Sequence, residues 1–281
     1  MVSALSRRED GTTELTINIP WARVKQAYDK IVDKAVKETA VNGFRRGKAP
    51  RHLVESKLDK NKVYEEIIKQ VVPVIYTEAV KEHQLKPIVY PQIKVVSLAE
   101  NKDWQIQAIS CEQPVVELEN YPEEIRKETA ASKIVVPGKK EEPEKENQQL
   151  AKVFQALLKT SRVTIPKILL EGEVNRMLAR LVDQTSRLGL TIEQYLSSTG
   201  KSTEQLRTEY TQQAEETLKL EFILQEIANR EKITVSEAEV AKMIAAAPDE
   251  ASRQALQTTE QRAYLEQLLR KRQVIEKLLK I

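Results

Sequence analysis

The segment TTELTINIP alternates strictly, with Leu15, Ile17 and Ile19 on one side and Glu14, Thr16 and Asn18 on the other. That period of two predicts a half-buried strand, and Pro20 ends it. From Trp21 the period lengthens: Val24, Tyr28, Ile31, Ala35 and Thr39 recur every three or four residues, predicting one amphipathic helix over 21–40 that starts at the proline. Pro50 fits the first turn of a short helix carrying Leu53, Val54 and Leu58. A longer helix at about 61–83 points Tyr64, Ile67, Ile68, Val71, Ile75 and Ala79 inward. Pro73 lies within it and predicts a kink, because proline has no amide donor and crowds the preceding turn. PIVYPQIKVVSL and WQIQAISC then read as two strands around the turn residues ENKD. Residues 1–118 therefore predict a compact α+β domain.

Residues 119–147 break the pattern with prolines and a dense run of alternating charge, which predicts a solvated linker. From Gln148 the pattern is helical to the end. Pro166 opens a helix with Leu170, Val174, Leu178, Leu181, Thr185 and Leu188 on one face, closed by Gly189. Thr191 with Gln194, Ser202 with Gln205, and Ser236 with Glu239 have the spacing of a capping box, in which each side chain satisfies an orphan helix amide. A helix over about 203–230 carries Leu206, Tyr210, Ala214, Leu218 and Ile227. A last one over about 250–280 carries Leu265, Leu268, Ile275 and Leu279. Residues 148–281 thus predict an all-α domain of several long helices, and no internal repeat is visible.

Composition supports the helical reading. Of 281 residues, 31% are charged and only seven are glycine, a mixture suited to solvated amphipathic helices. Forty-five basic residues against 42 acidic leave a net charge of +3, so any contact with nucleic acid must come from a local cluster. A single cysteine, Cys111, excludes an internal disulfide and a cysteine metal cluster, and it is expected to pack as a small apolar group. With His52 and His83 the only imidazoles, neither placed beside a partner, no metal site and no cofactor is predicted. Carboxylates sit among lysines, as on solvated helix faces. Nothing nominates a nucleophile or an acid–base pair. The N-terminus has no apolar targeting segment and no stretch approaches a membrane span, which predicts a cytoplasmic protein with no membrane partner.

One segment resists the bland description. In VNGFRRGKAP, Gly43 and Gly47 bracket Phe44, Arg45 and Arg46, with Lys48 and Pro50 following. A nucleotide-binding P-loop is excluded. Only three residues separate the glycines, Ala49 stands where a magnesium-binding hydroxyl is needed, and the segment follows a helix. Both glycines permit positive φ, so the intervening residues suit a tight protruding loop. On such a loop Phe44 either tucks beneath its own turn or stands out as an anchor beside guanidinium groups that pair with carboxylates and phosphates. The residues alone leave both readings open.

The segment resembles the ribosome-binding motif of the bacterial trigger factor family, Gly-Phe-Arg-x-Gly-Lys-x-Pro. Gly43, Phe44, Arg45, Gly47, Lys48 and Pro50 stand at its fixed positions, and Arg46 stands where a basic residue is usual. More loosely, VTIPKILLEGEVNRML and the run from Gln194 to Val240 are similar to the family's helical body. The resemblance implies a ribosome-associated, ATP-independent chaperone that docks at the polypeptide exit tunnel. It would bind protein and ribosomal RNA of the large subunit, hold nascent or unfolded chains, and form a homodimer off the ribosome. The family typically carries a prolyl isomerase domain between its two ends. Residues 119–147 are too few for any such domain, which rarely falls below about 50 residues, so the resemblance implies a non-enzyme. Two other classes stay open: a ribosome-bound helical scaffold or assembly factor without general client binding, and an isomerase at an unrecognised site.

Overall fold

The computed structural model describes residues 2–40, 44–130 and 143–281. They form two compact units. Unit 1 comprises residues 1–113 with Pro166–Leu169, and unit 2 comprises Pro114–Ile165 with Leu170–Ile281.

Unit 1 is built on a four-stranded antiparallel sheet in the order β1-β2-β4-β3. Its strands are β1 (Val2–Arg7), β2 (Thr12–Ile19), β3 (Gln92–Ser97) and β4 (Trp104–Cys111). The alternation in β2 does what its period requires: Leu15, Ile17 and Ile19 are buried. In register across from Ile19, Ile17 and Leu15 stand Trp104, Ile106 and Ala108 of β4, so six side chains line one face. Two helices cover that face, α1 (Trp21–Glu38) with Val24 and Ala27, and α3 (Lys60–Glu82) with Ile67, Ile75 and Ala79. Tyr64 meets Trp104 edge to face at 5.1 Å. The helix α3 continues through Pro73, whose carbonyl accepts from the Thr77 hydroxyl. Between α1 and α3 lies the short α2 (Arg51–Glu55). The strand β1 escapes sequence reading because Leu5 is its single large apolar residue packed against the core.

Cys111 is fully buried beside Ile109 and Ile168, and burial pushes its thiol up to about 11, which makes it an inert apolar filler. Asp10 is partly buried, and the desolvation that would raise its carboxyl is outweighed by the backbone amides of Lys167 and Thr12.

Unit 2 departs from the linker and all-α expectations in two places. Residues 121–130, expected as solvated linker, form the helix α4 (Tyr121–Ala130), with Tyr121 and Ile125 in a core shared with α5 (Pro143–Thr160), α8 (Thr203–Arg230) and α11 (Thr259–Leu278). Tyr121, Ile125 and Thr129 recur at i, i+4 and i+8, a stripe two large side chains long and hidden by the surrounding Glu and Lys. The Tyr121 hydroxyl donates to Glu231, and Lys159 bridges Glu124 and Glu128. Residues 131–142 of the expected linker lie outside the described residues. The strand expected at Val115–Leu118 is β5 (Val116–Leu118). It pairs with β6 (Ser161–Val163) inside unit 2 rather than joining the N-terminal sheet.

The remaining helices are α6 (Lys167–Arg187), α7 (Ile192–Thr199), α9 (Glu237–Ala245) and α10 (Glu250–Leu256). All three capping boxes form, opening α7, α8 and α9. The single helix expected over 250–280 is instead α10 and α11, separated where the Thr258 side chain caps the Gln261 amide. After that restart Leu265, Val274 and Leu278 turn inward, whereas Leu268 faces out. The stripe on α6 ends at buried Thr185, and Leu188, beyond the last turn, is 75% exposed. Among the described residues no helix is long and apolar enough to cross a membrane.

Both tryptophans, Trp21 and Trp104, lie in unit 1, so fluorescence follows unit 1 while most of the helical circular dichroism follows unit 2. The substitution Ile125→Ala is expected to cost unit 2 about 2–5 kcal/mol. Denaturant titration should therefore shift the 222 nm transition to lower concentration and leave the fluorescence transition in place. A solvated segment at 121–130 would leave both unchanged.

Candidate functional site

The bracketed basic segment leaves the C-terminal end of α1 and re-enters the fold at α2. Val41, Asn42 and Gly43 lie outside the described residues. From Phe44 onward each residue has a definite place. The Lys48 amide donates to the Arg45 carbonyl at 2.9 Å, closing a turn over Arg46 and Gly47. Gly47 adopts φ +81°, a left-handed conformation that side chains disfavour. A Cβ there would stand 3.5 Å from the Lys37 carbonyl, so the turn lies close against the backbone of α1. Arg46 secures it from the other side, its Nε donating to the Glu38 carbonyl at 2.9 Å. Pro50 is the N-cap of α2 rather than a residue of its first turn, and its carbonyl accepts from the Leu53 and Val54 amides.

Beyond this turn the fold holds α2 against α1. Ala49 and Val54 are buried against Ala35 and Val36. Arg51 reaches from α2 to Asp29 and, at 3.2 Å, to Asp33, and these carboxylates hold the guanidinium above its ordinary range. The Tyr28 hydroxyl donates to Glu55 at 2.7 Å, and burial together with that carboxylate pushes the phenol up to about 12. Energetically the apolar plug dominates. Fully burying one valine contributes about 1.5–3 kcal/mol, whereas an exposed ion pair contributes about 0.2–1 kcal/mol, and Arg51, Asp29 and Asp33 are all more than two-fifths exposed. The ion pairs set the direction of α2 and Val54 holds it there. Sequence reading missed this clasp, although the i, i+4 spacing of Asp29 and Asp33 opposite a helix-opening Arg51 was visible.

The segment therefore presents an exposed tip on a fixed base. Phe44 remains 43% exposed and packs into none of the apolar clusters of the described residues. Arg45 and Lys48 are exposed and form no ion pair among the described residues. The structure thus brings Phe44, Arg45, Arg46, Gly47, Lys48 and Pro50 together on one short turn, with Ala49 as its buried anchor. An apolar ring flanked by unpaired cations can bind a surface that offers a small apolar recess among acidic groups or phosphates. Among the described residues no group of three or more His, Cys, Asp or Glu side chains could hold a metal ion. His52 lies in α2, and His83 follows α3 with Nε2 2.9 Å from the Ser3 hydroxyl, far from this turn in sequence.

Comparison with known proteins identifies the family. The family model of the bacterial trigger factor protein matches residues 1–150, and that of the trigger factor C-terminus matches residues 122–280. Trigger factors of Staphylococcus aureus strains JH9 and Newman are 32% identical over 121 residues, which is 43% of this chain and 28% of the length of those relatives. A solved structure concerned with substrate recognition by the trigger factor chaperone superposes with a TM-score of 0.68 at 13% identity. It covers 100% of this chain and 99% of its own, a likeness of fold. On the two family models, which between them span nearly every residue, the chain belongs to the bacterial trigger factor family.

Proposed function

We propose that the chain is a ribosome-associated chaperone. Unit 1 docks beside the polypeptide exit tunnel through Gly43–Pro50, and unit 2 holds nascent or unfolded chains without prolyl isomerase activity. The observation that carries the docking reading is the tip itself: Phe44, half-exposed and outside every apolar cluster, flanked by Arg45 and Lys48 on a turn fixed by Gly47 and by the Arg46–Glu38 contact. A loop serving only as a connection gains nothing from an exposed aromatic ring. Phe44 supplies the apolar anchor, while Arg45, Arg46 and Lys48 meet acidic side chains or RNA phosphate.

The holding role draws support from unit 2. Leu188, Leu190 and Tyr264 are exposed there, and Met243, Ala247, Pro248, Leu256 and Leu265 line an apolar groove among α9, α10 and α11. Dispersed apolar contacts rimmed by Glu, Lys and Gln bind extended apolar segments without selecting one geometry. The absence of isomerase activity rests on length: the family's enzymatic domain has no room between α4 and α5. The proposal also covers a homodimer off the ribosome, as the family resemblance implies.

The triple variant Phe44→Ala/Arg45→Ala/Arg46→Ala is expected to keep the wild-type circular dichroism spectrum and to lose at least about thirtyfold in ribosome affinity in co-sedimentation. Equal binding by both chains would move the contact elsewhere. The double variant Leu188→Ser/Leu190→Ser is expected to remain folded, bind ribosomes normally and suppress aggregation of a denatured client less well. Unchanged suppression would place client contact elsewhere in the chain, whereas a wild type that binds ribosomes but suppresses no aggregation would favour the scaffold reading. A proline-limited refolding reaction is expected to proceed at its spontaneous rate in the presence of the chain, and acceleration would reinstate the enzyme.

A further inference from the structure

The four-stranded sheet of unit 1 has two edges, β1 and β3. Among the described residues neither strand makes a backbone hydrogen bond on its outer side. Such an edge is a row of unpaired donors and acceptors, which soluble proteins usually blunt. The two edges differ in what stands beside them. The strand β1 carries the small residues Ser3, Ala4 and Ser6, and Ser3 is tied to Glu82 and His83 at the end of α3. Around β3 exposed large apolar residues gather: Ile88, Tyr90, Val95 and Val96, with Tyr90 96% exposed. The Ile88 amide donates to the Cys111 carbonyl at 3.0 Å, beyond the Gln92–Ile109 pair, so this segment keeps to the β3 side of β4.

Within β3 the pleat sorts the side chains. Ile93 and Val95 stand across from Ala108 and Ile106, which belong to the buried face. Ile93 is partly buried against that core, whereas Val95 is 49% exposed at the uncovered edge. Lys94 belongs to the opposite face, exposed and without an ion pair among the described residues. The edge therefore reads apolar, cationic, apolar. The register then skips Val96 before Ser97. A bulge of this kind disrupts regular pairing, which leaves room for one short segment and discourages a continuing sheet. A second copy is a poor occupant. Antiparallel self-pairing that sets Ile93 beside Val95 also sets Lys94 opposite Lys94, and like charges directly opposite destabilise a sheet. An extended segment with alternate apolar residues and an acidic residue between them matches both the backbone groups and the charge.

We infer that the β3 edge is a client-binding site that takes an extended segment of unfolded polypeptide as an added strand. Apolar side chains of the segment pack beside Ile93 and Val95, and an acidic one stands beside Lys94. This rests on the holding role proposed above and gives unit 1 a share in it. Most of the recognition is by backbone, so it tolerates many sequences.

The test titrates the full chain with a short fluorescent peptide of alternating valine and threonine, in which one central threonine is replaced by glutamate. Val95→Lys/Val96→Lys is expected to keep the wild-type circular dichroism spectrum and to bind the peptide at least about tenfold more weakly. Lys94→Glu should weaken it by about threefold to tenfold and favour a lysine-centred peptide by a similar factor. Only every second amide of an added strand faces its neighbour. N-methylation of one alternate set of peptide amides should therefore abolish binding, and N-methylation of the other set should leave it. Equal effects of the two sets, or unchanged binding by Val95→Lys/Val96→Lys, would overturn the edge and leave the holding role to unit 2. A wild type that suppresses client aggregation without binding the peptide would also overturn it. Dissociation of a wild-type dimer by Val95→Lys/Val96→Lys, with peptide affinity unchanged, would reassign the edge to a second copy. A wild type that neither binds the peptide nor suppresses aggregation would remove both readings.

Discussion

Burial of one face of β2 and β4 beneath α1 and α3 is the constraint on which the rest of unit 1 depends. Leu15, Ile17, Ile19, Trp104, Ile106 and Ala108 are all nearly inaccessible, and they can be so only if two amphipathic helices lie across them. Once α1 is fixed by Val24 and Ala27, its C-terminal end has a set position. That end is where the Phe44 turn begins. Apolar burial at about 25 cal/mol per Å2 sets the scaffold, and charge is then distributed on what remains outside. The order matters for function, because a docking loop is useful only if its base does not move when its tip binds.

The base of the turn repeats that logic on a smaller scale. Ala49 and Val54 plug into Ala35 and Val36, Gly47 allows the chain to pass close to Lys37, and Arg51 aims α2 through Asp29 and Asp33. Phe44 is thereby left outside the apolar clusters of the described residues. The arrangement separates two classes of residue that stand side by side in the chain: those that fold the loop, and those that the loop displays.

How much of this could be read from the chain depends on how many side chains carry each signal. The strand β2 and the helices α1, α3 and α8 were legible because their apolar periods run for several turns or alternations. The capping boxes were legible because each is a local pair, Thr191–Gln194, Ser202–Gln205 and Ser236–Glu239, that needs no tertiary partner. The helix α4 was not, since Tyr121 and Ile125 make a stripe that matters only once α5 and α8 are present to bury it. The pairing of β5 with β6 was hidden for the same reason: two three-residue strands distant in sequence carry no pattern of their own. The residues of the Phe44 turn were legible as a motif, whereas the clasp beneath it exists only in three dimensions.

Hydrogen exchange of the full chain, free and bound to ribosomes, tests the central claim most directly. Phe44, Arg45, Arg46 and Lys48 are exposed on a turn anchored by buried Ala49, so docking should slow exchange of the turn's amides selectively, together with the last turns of α1. The interior of β2 and β4 should exchange as it does in the free chain. Protection confined to unit 2, with residues 44–48 exchanging as fast as in the free protein, would contradict the account.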